Sequence, residues 1–566
     1  MSHPDVRRFT RCLPSGLSNC LSCLPCLSWI LAATVLVACD PPDRGPRFRP
    51  AGSATPRAGG TLRFATKDQV RTLDPTISYD EVGTFILHSL FDTLVDFSPD
   101  GLHIVPRLAE TWEISPDGRV YTFELRPGIT YRDKTPITAA HFKFSLERAL
   151  ATPDSPFTEY LADIEHAPEV IEGKAPTCAG IIAQDDRHLE IRLTTLNPGL
   201  LDILAMPFAT PQRPDHVARA GDELRRRPDA TGPFELARWS EGERIELGRN
   251  PSYYDQTRAH LDAIVMLENI PSDTQFQMFE RAELDAVEKL AAPDYLFVMN
   301  EPAWQPFVHL SAPMNAYGSR MNVRVKPFDD RRVRQALNYA LDKTHTQRLL
   351  HETTVAAHGI LPPGMPGFAA ELSPYPHDVA KARRLLAEAG YPDGFDIDYM
   401  TTNDEETEAV AASLQSDLAE VGVRVRLNVT SWAVWLASYG QPDGPAFSYT
   451  SWTADFPDPV AFFEPRFHSR YIKDHDSTND SFYGNPELDA VLDAARQERD
   501  PDRRAVLYRR AERILYCDAP WVWDYHRRWI EVTQPYVRGY EPHPIWRRDY
   551  TSAWLDLGPD GAPVRR

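Results

Sequence analysis

Cysteine is scarce outside the N-terminal stretch of the sequence, which has seven cysteines in 566 residues. Four of them lie within the first 38 residues: Cys12, Cys20, Cys23 and Cys26. Cys39 follows directly, and only Cys178 and Cys517 lie in the rest of the chain. An oxidising compartment would permit these two to pair, but spacing alone does not establish a disulfide, so both states stay open.

Catalytic motifs are absent as well. The sequence has no HExxH, GxSxG, Walker A or GxGxxG pattern, and its 17 histidines show no zinc-ligand spacing. The stretch from Asp474 to Asp480 lacks the glycine and the glutamate of a calcium loop, which favours a solvated polar loop. We therefore expect no catalytic residue, no metal and no cofactor. A secreted hydrolase stays open as an alternative, because 81 acidic residues guarantee that some carboxylates pair in space.

Long apolar runs are missing, apart from LSWILAATVLVA at residues 27–38. This run is too short to span a bilayer comfortably, and three arginines precede it, which is typical of a signal peptide. Its end, Leu36–Cys39, resembles the bacterial lipobox, in which the cysteine becomes the first mature residue and carries the lipid. We expect residues 1–38 to be a lipoprotein signal peptide, and residues 39–60 to be the lipid anchor and a Pro/Gly-rich tether.

Positive charge is in deficit, since the chain has 61 Lys and Arg but 81 Asp and Glu, which gives a formal net charge of −20. Such a charge disfavours nucleic acid and anionic membrane surfaces as partners. We expect a monomer outside the cytoplasm, in the periplasm, that reaches the membrane only through lipidated Cys39. Asp40 resembles the signal that retains lipoproteins at the inner membrane.

The chain is too long for one hydrophobic core, so two or three domains are expected. Proline is abundant at 50 residues and glycine scarce at 29, which indicates many fixed turns. Residues 111–125 read as a β-hairpin around Ser-Pro-Asp-Gly. Capping residues and apolar spacing predict helices that begin after Asp329, Asp378, Asn485 and Asp500. Strand and helix signals alternate without a strict repeat, which indicates a mixed α/β chain.

Seven segments, in order along the chain, resemble motifs of the family 5 solute-binding proteins, the oligopeptide- and dipeptide-binding class of ABC importers. They are LDPT from Leu73, the stretch Pro106–Leu150, TGPFELARWSEGERIELGRNPSYYD from Thr231, RRVRQALNYALDK from Arg331, LPPGMPG from Leu361, ARRLLAEAGYPDGF from Ala382 and SWTADFPDP from Ser451. The resemblance covers nearly all of residues 60–550. Lys134 departs from it, because the family usually has glycine at this point of a surface turn.

The resemblance implies an α/β fold like that of the type II periplasmic-binding proteins: a two-lobed Venus flytrap with an additional inserted domain. The implied boundaries are residues 60–93, 205–308 and 520–566 for lobe one, 94–204 for the inserted domain, and 309–519 for lobe two. The chain would then cross between the lobes more than once, and the crossings would form the hinge on which the lobes close.

The resemblance also implies the residues of a binding cleft. In peptide-binding members an aspartate in a WxxD motif pairs with the ligand's α-ammonium, and that residue here is Asp455, with Trp452 beside it. A buried ammonium requires such a carboxylate, because an unpaired buried charge is costly. The other candidates are polar residues after the LDP loop and a tryptophan after a predicted strand: Tyr79, Asp80, Glu81 and Trp432.

By this resemblance the protein captures oligo- or dipeptides in the interlobe cleft and delivers them to the permease and ATPase subunits of an ABC importer. Relatives also carry nickel complexes, haem, opines or sugars, so these cargoes stay open. Retention of Asp455 favours peptides, because a ligand without an ammonium does not require that anion.

Overall fold

The structure is a computed structural model that describes residues 45–153, 155–288 and 290–566. The predicted signal peptide, Cys39 and Asp40 lie outside these ranges. Within them, no helix combines the length and the apolar character that crossing a membrane requires.

Strands and helices of the first half follow this order: β1 (Phe48–Arg49), β2 (Thr61–Ala65), α1 (Glu81–Leu90), β3 (Val95–Phe97), β4 (Ile104–Pro106), β5 (Ala109–Ile114), β6 (Val120–Leu125), α2 (Ala139–Ala151), α3 (Ala167–Ile171), β7 (Ile181–Ala183), β8 (His188–Arg192), α4 (Leu200–Ala205), α5 (Pro214–Ala220), β9 (Phe234–Ser240), β10 (Arg244–Arg249), β11 (Ala263–Leu267), α6 (Ser272–Glu280), β12 (Ala286–Glu288), α7 (Ala292–Asn300) and β13 (Val308–Leu310).

The second half continues with β14 (Asn315–Met321), α8 (Arg331–Ala340), α9 (Lys343–Leu349), β15 (Thr354–Ala356), α10 (Val379–Glu388), β16 (Asp396–Thr402), α11 (Glu405–Ala419), β17 (Arg424–Thr430), α12 (Trp432–Ser438), β18 (Phe447–Thr453), α13 (Val460–Phe467), α14 (Pro486–Gln497), α15 (Pro501–Asp518), β19 (Trp521–Arg527), β20 (Ile530–Thr533), β21 (Val537–Arg538), β22 (Trp554–Leu555) and β23 (Val564–Arg565).

Four sheets of three or more strands organise these elements. One has the order β2–β11–β10–β9 and another the order β12–β20–β13. The largest has six strands in the order β15–β19–β14–β18–β16–β17, and residues 109–192 form the sheet β5–β6–β8–β7. Strand β2 pairs in parallel with β11, and β16 pairs in parallel with both β17 and β18. The predicted mixture of helix and sheet is confirmed, as is the hairpin, which β5 and β6 form.

Two chain crossings connect the three-stranded sheet with the six-stranded one, and they lie side by side. One runs from β13 to β14 and the other from β19 to β20. Ser311 N donates to Trp529 O at 3.0 Å, and the Asn315 side chain bonds the backbone of Arg527 through both its oxygen and its nitrogen. Strand β19 begins one residue after the predicted domain boundary at 520 and pairs with β14 and β15, and the boundary itself stays a prediction. The chain leaves the six-stranded sheet only after Arg527.

The expected tether is also shorter than the sequence indicates. Strand β1 pairs with β23 near the C-terminus, and the Asp556 carboxylate accepts from the backbone of Gly52 and Ser53. Residues 48–53 therefore pack against the C-terminal segment, because a proline-rich segment can still supply a short edge strand.

Helix starts follow the predicted caps closely. The side chains of Asp378, Asn485 and Asp500 each accept a backbone N–H at the start of α10, α14 and α15. For α8 the prediction is wrong by one residue: Asp330, not Asp329, is the cap, since its carboxylate accepts from Arg332 N.

A largely buried ion pair joins the LDPT segment to the signature that follows it. Arg148 in α2 donates to both carboxylate oxygens of Asp74, at 2.7 and 2.5 Å. The same guanidinium bonds Thr76 Oγ1 at 2.5 Å and Gln212 Oε1 at 2.9 Å. The pair therefore fixes the loop that leads to Tyr79 against the domain that follows it.

We expect Arg148→Ala to lower the free energy of unfolding by about 3–5 kcal/mol, because it strands the buried Asp74 carboxylate. Urea unfolding measures the change. Arg119→Ala is the control, since the Arg119–Asp117 pair is about half exposed and such surface pairs contribute little to stability. Equal losses in the two variants would contradict the role of the Arg148 pair.

Lys134 occupies a backbone conformation that explains the family's glycine. Its φ is +68°, in the left-handed region, and its Nζ donates to Ser252 Oγ at 2.9 Å. A side chain in this region costs roughly 1–2 kcal/mol relative to glycine.

We therefore expect Lys134→Gly to raise the free energy of unfolding by roughly 1 kcal/mol. Lys134→Ala is the matched control, because it keeps the strain and loses the hydrogen bond. A glycine variant no more stable than the alanine variant in urea would argue against backbone strain.

Candidate ligand-binding cleft

A cavity of about 280 Å³ brings together parts of the chain that are distant in sequence. Its walls come from the segment 78–84 around the start of α1, from Phe157, Met206 and Pro207, from residues 453–455, and from residues 545–547. Residues 453–455 stand at the end of β18, inside the six-stranded sheet, whereas α1 packs against β9 of the first sheet. The cavity is therefore a cleft between the two large sheet systems.

Asp455 lines this cleft and accepts two hydroxyl hydrogen bonds. Tyr79 Oη donates to Asp455 Oδ2 at 2.7 Å, and Tyr160 Oη donates to the same oxygen. Tyr79 packs edge-on against Phe157, and Tyr160 packs edge-on against Phe456, which fixes both rings. Both bonds end at Oδ2, and an ionised carboxylate can accept further donors at its other oxygen.

The environment of Asp455 works against its negative charge. Burial raises the pKa of this carboxyl above its ordinary value, and the hydrogen bonds from Tyr160 and Tyr79 lower it by less. Among the described residues, no cation is one of the groups that shift this pKa. A carboxylate in such surroundings gains most from a cation that arrives with a ligand.

Comparisons with known proteins identify the family of this chain. The family model described as "Bacterial extracellular solute-binding proteins, family 5 Middle" matches residues 103–474. The chain belongs to this family. It is a solute-binding protein of the class that serves ABC importers outside the cytoplasm.

Among its relatives is the glutathione-binding protein GsiB of Salmonella typhimurium, 28% identical over 80% of this chain and 86% of that protein. The probable deoxycholate-binding periplasmic protein YgiS of Escherichia coli is 30% identical over 85% of this chain and 91% of its own length. The solved structure of clavulanic acid biosynthesis oligopeptide binding protein 2 superposes with a TM-score of 0.82 and 26% identity, over 90% of this chain and 99% of that one. The type II periplasmic-binding fold is therefore confirmed.

The structure of this solute-binding protein brings Tyr79, Asp80 and Glu81 into the cleft beside Asp455. Asp80 is also the N-cap of α1, because its Oδ1 accepts from Gly83 N at 2.7 Å, and burial raises the pKa of its carboxyl. Glu81 forms an ion pair with Arg547.

The two predicted tryptophans lie outside the cleft lining. Trp452 packs against the core; its Nε1 donates to Ala461 O at 2.7 Å, and the Arg466 guanidinium lies over its ring at 5.2 Å. Trp432 is 54% exposed and stacks on Trp435, with ring centroids 4.8 Å apart. Trp452 therefore supports the strand that carries Asp455 from behind.

Two residues that contact the predicted ones escaped prediction. Tyr160, 295 residues from Asp455 along the chain, bonds Asp455 from outside the cleft lining, and Arg547 lines the cleft from the C-terminal segment. Neither stands in a local pattern that marks a binding residue, since long-range packing alone places them there.

The polar stretch at 474–480 is exposed in its first half and buried in its second half. Asp474 and Asp476 are exposed as expected, but Asp480 is fully buried, where Arg466 Nη2 donates to its Oδ1 at 2.7 Å. The expectation of a fully solvated loop is therefore wrong for its second half.

Cys178 and Cys517 are both free. The described residues contain no cluster of His, Cys, Asp and Glu that could hold a metal ion.

We expect Asp455→Asn to stabilise the ligand-free protein at pH 7. The pKa of Asp455 in the folded protein lies above the value of about 3.9 that it has in the unfolded chain. Protonation of Asp455 therefore stabilises the folded protein fully below about pH 3.9, and this contribution is lost as the pH rises through the folded-state pKa. Asparagine stays neutral at every pH. Urea unfolding should therefore show a more stable variant at pH 7 and a shrinking difference towards pH 4.

Asp458→Asn is the control, because Arg504 donates to both oxygens of Asp458, at 2.5 and 2.8 Å. Breaking that pair should destabilise by about 3–5 kcal/mol at pH 7. An Asp455→Asn variant that loses stability at pH 7 would contradict the account of its environment.

Proposed function

We propose that this chain is a monomeric, lipid-anchored binding protein that captures peptides with a free N-terminus and delivers them to the permease of an ABC importer. Asp455 receives the peptide's α-ammonium. Tyr79 and Tyr160 hold its carboxylate in place. Cys39 carries the lipid after removal of residues 1–38, and Asp40 keeps the protein at the inner membrane.

The observation that carries this proposal is the carboxylate of Asp455 in the cleft, held by two neutral hydroxyls and raised in pKa by burial. A ligand ammonium supplies the missing positive charge, and a charge-assisted hydrogen bond is about twice as strong as a neutral one. A ligand without a cationic group would leave the desolvation cost of this partly buried charge uncompensated.

The names of the relatives support a peptide more than the other cargoes. One relative is named for glutathione, which is itself a tripeptide, and the structural neighbour is named for oligopeptides. YgiS is named for deoxycholate, which has no ammonium group. The carboxylate of Asp455 favours the first two kinds of ligand over the third.

The contacts around Asp455 also supply a mechanism for closure. The Asp455 carboxylate stands at the end of β18 and is bonded by Tyr79 and Tyr160 from the other side of the cleft. Arg496 pairs with Asp163, and Lys473 Nζ pairs with Glu159 at 2.6 Å, between the same two parts of the chain. A ligand that bridges these walls stabilises the closed form, which the permease then recognises.

We expect Asp455→Asn to weaken peptide binding by about 3–5 kcal/mol, because the ligand's ammonium would be buried without its partner. Isothermal titration calorimetry with a short peptide measures the loss. Asp474→Asn is the matched control, since it removes the same charge from an exposed position and should leave the affinity unchanged.

Unchanged affinity in the Asp455 variant would contradict the peptide proposal. Mass spectrometry of the peptide after long incubation separates binding from hydrolysis: intact peptide supports transport, and cleavage products support a secreted hydrolase.

A further inference from the structure

The cleft contains one cation among the residues that line it, all of which the structure describes. This is Arg547, which follows Ile545 and Trp546 in the C-terminal segment. Asp455 lies in the wall formed by residues 453–455, so the cleft presents an anion and a cation on walls from different parts of the chain.

Several contacts hold the Arg547 side chain in place. Its guanidinium lies over the Trp529 ring at 3.9 Å from the centroid, and its side chain is 15% exposed. Its backbone φ is +58°, a left-handed conformation that costs a non-glycine residue free energy and persists only when surrounding contacts hold it. Surrounding packing therefore fixes the direction of this guanidinium.

Glu81 does not exhaust the binding capacity of Arg547. A guanidinium has five N–H donors, and one carboxylate accepts at most two of them in a fork. The neighbouring Arg548 pairs with two carboxylates, those of Glu288 and Glu531. Arg548 is a like charge beside Arg547, and a second anion at Arg547 would offset that repulsion.

We propose that Arg547 receives a carboxylate of the ligand while Asp455 receives its ammonium, so that the cargo is a short peptide with both termini free. This inference rests on the proposed function and narrows its substrate class. Glu81 is then the partner that shares Arg547 with the ligand.

The size of the cleft agrees with a short ligand. Small-molecule sites range over about 300–1,000 Å³, and this cavity of about 280 Å³ lies at the lower end. A peptide of two or three residues can present both termini inside such a volume. A long oligopeptide would place its C-terminus beyond Arg547.

The test compares trialanine with its C-terminal amide by calorimetry. We expect wild-type protein to bind the acid at least about tenfold more tightly, which corresponds to one charge-assisted hydrogen bond. Arg547→Ala should bind acid and amide equally. Arg528→Ala, which removes the same charge from an exposed residue outside the cleft lining, should keep the preference for the acid.

A second variant covers the case in which Arg547→Ala does not fold. Glu81→Gln removes the competing carboxylate and should widen the preference for the acid; a preference that narrows would contradict the sharing of Arg547. Equal binding of acid and amide by wild-type protein would overturn the Arg547 assignment and leave the proposed function standing. Failure of both peptides to bind would overturn the two together.

Discussion

The carboxylate of Asp455 is the constraint on which the rest of this structure depends. None of the described groups that shift its pKa is a cation. Asp455 stands at the end of a central strand of the six-stranded sheet, where burial disfavours its charge. Two tyrosine hydroxyls from other segments orient it without neutralising it. The protein thus carries a local instability that a positively charged ligand relieves, and binding sites commonly sacrifice stability for function in this way.

The surrounding structure serves to hold the walls of the cleft in place. The Arg148–Asp74 pair fixes the loop that presents Tyr79, and Trp452 anchors the end of β18, two residues before the start of the Ala454–Asp455 turn, to Ala461. On the third wall, stacking on Trp529 directs the Arg547 guanidinium. The crossings after β13 and β19 run side by side between the three-stranded and the six-stranded sheet, and we propose them as the hinge that the resemblance implies.

The sequence predicts what local patterns control. Helix caps such as Asp378 and Asn485 follow from the bonding of a side chain to the first backbone N–H groups, and the SWTAD motif identifies Asp455. Tyr160 and Arg547 could not be predicted, because no local pattern marks them and packing over hundreds of residues brings them to the cleft. For the same reason the sheet to which β19 belongs could not be read from the sequence, since strand pairing rather than composition assigns it.

Removal of the charge from the ligand tests the central claim most directly, because the protein stays unchanged. Calorimetry would compare wild-type binding of a short peptide with that of its N-acetylated form. The account predicts that acetylation weakens binding by roughly two orders of magnitude or more, since the amide can no longer pair with Asp455. Equal affinity for the free and the acetylated peptide would contradict it.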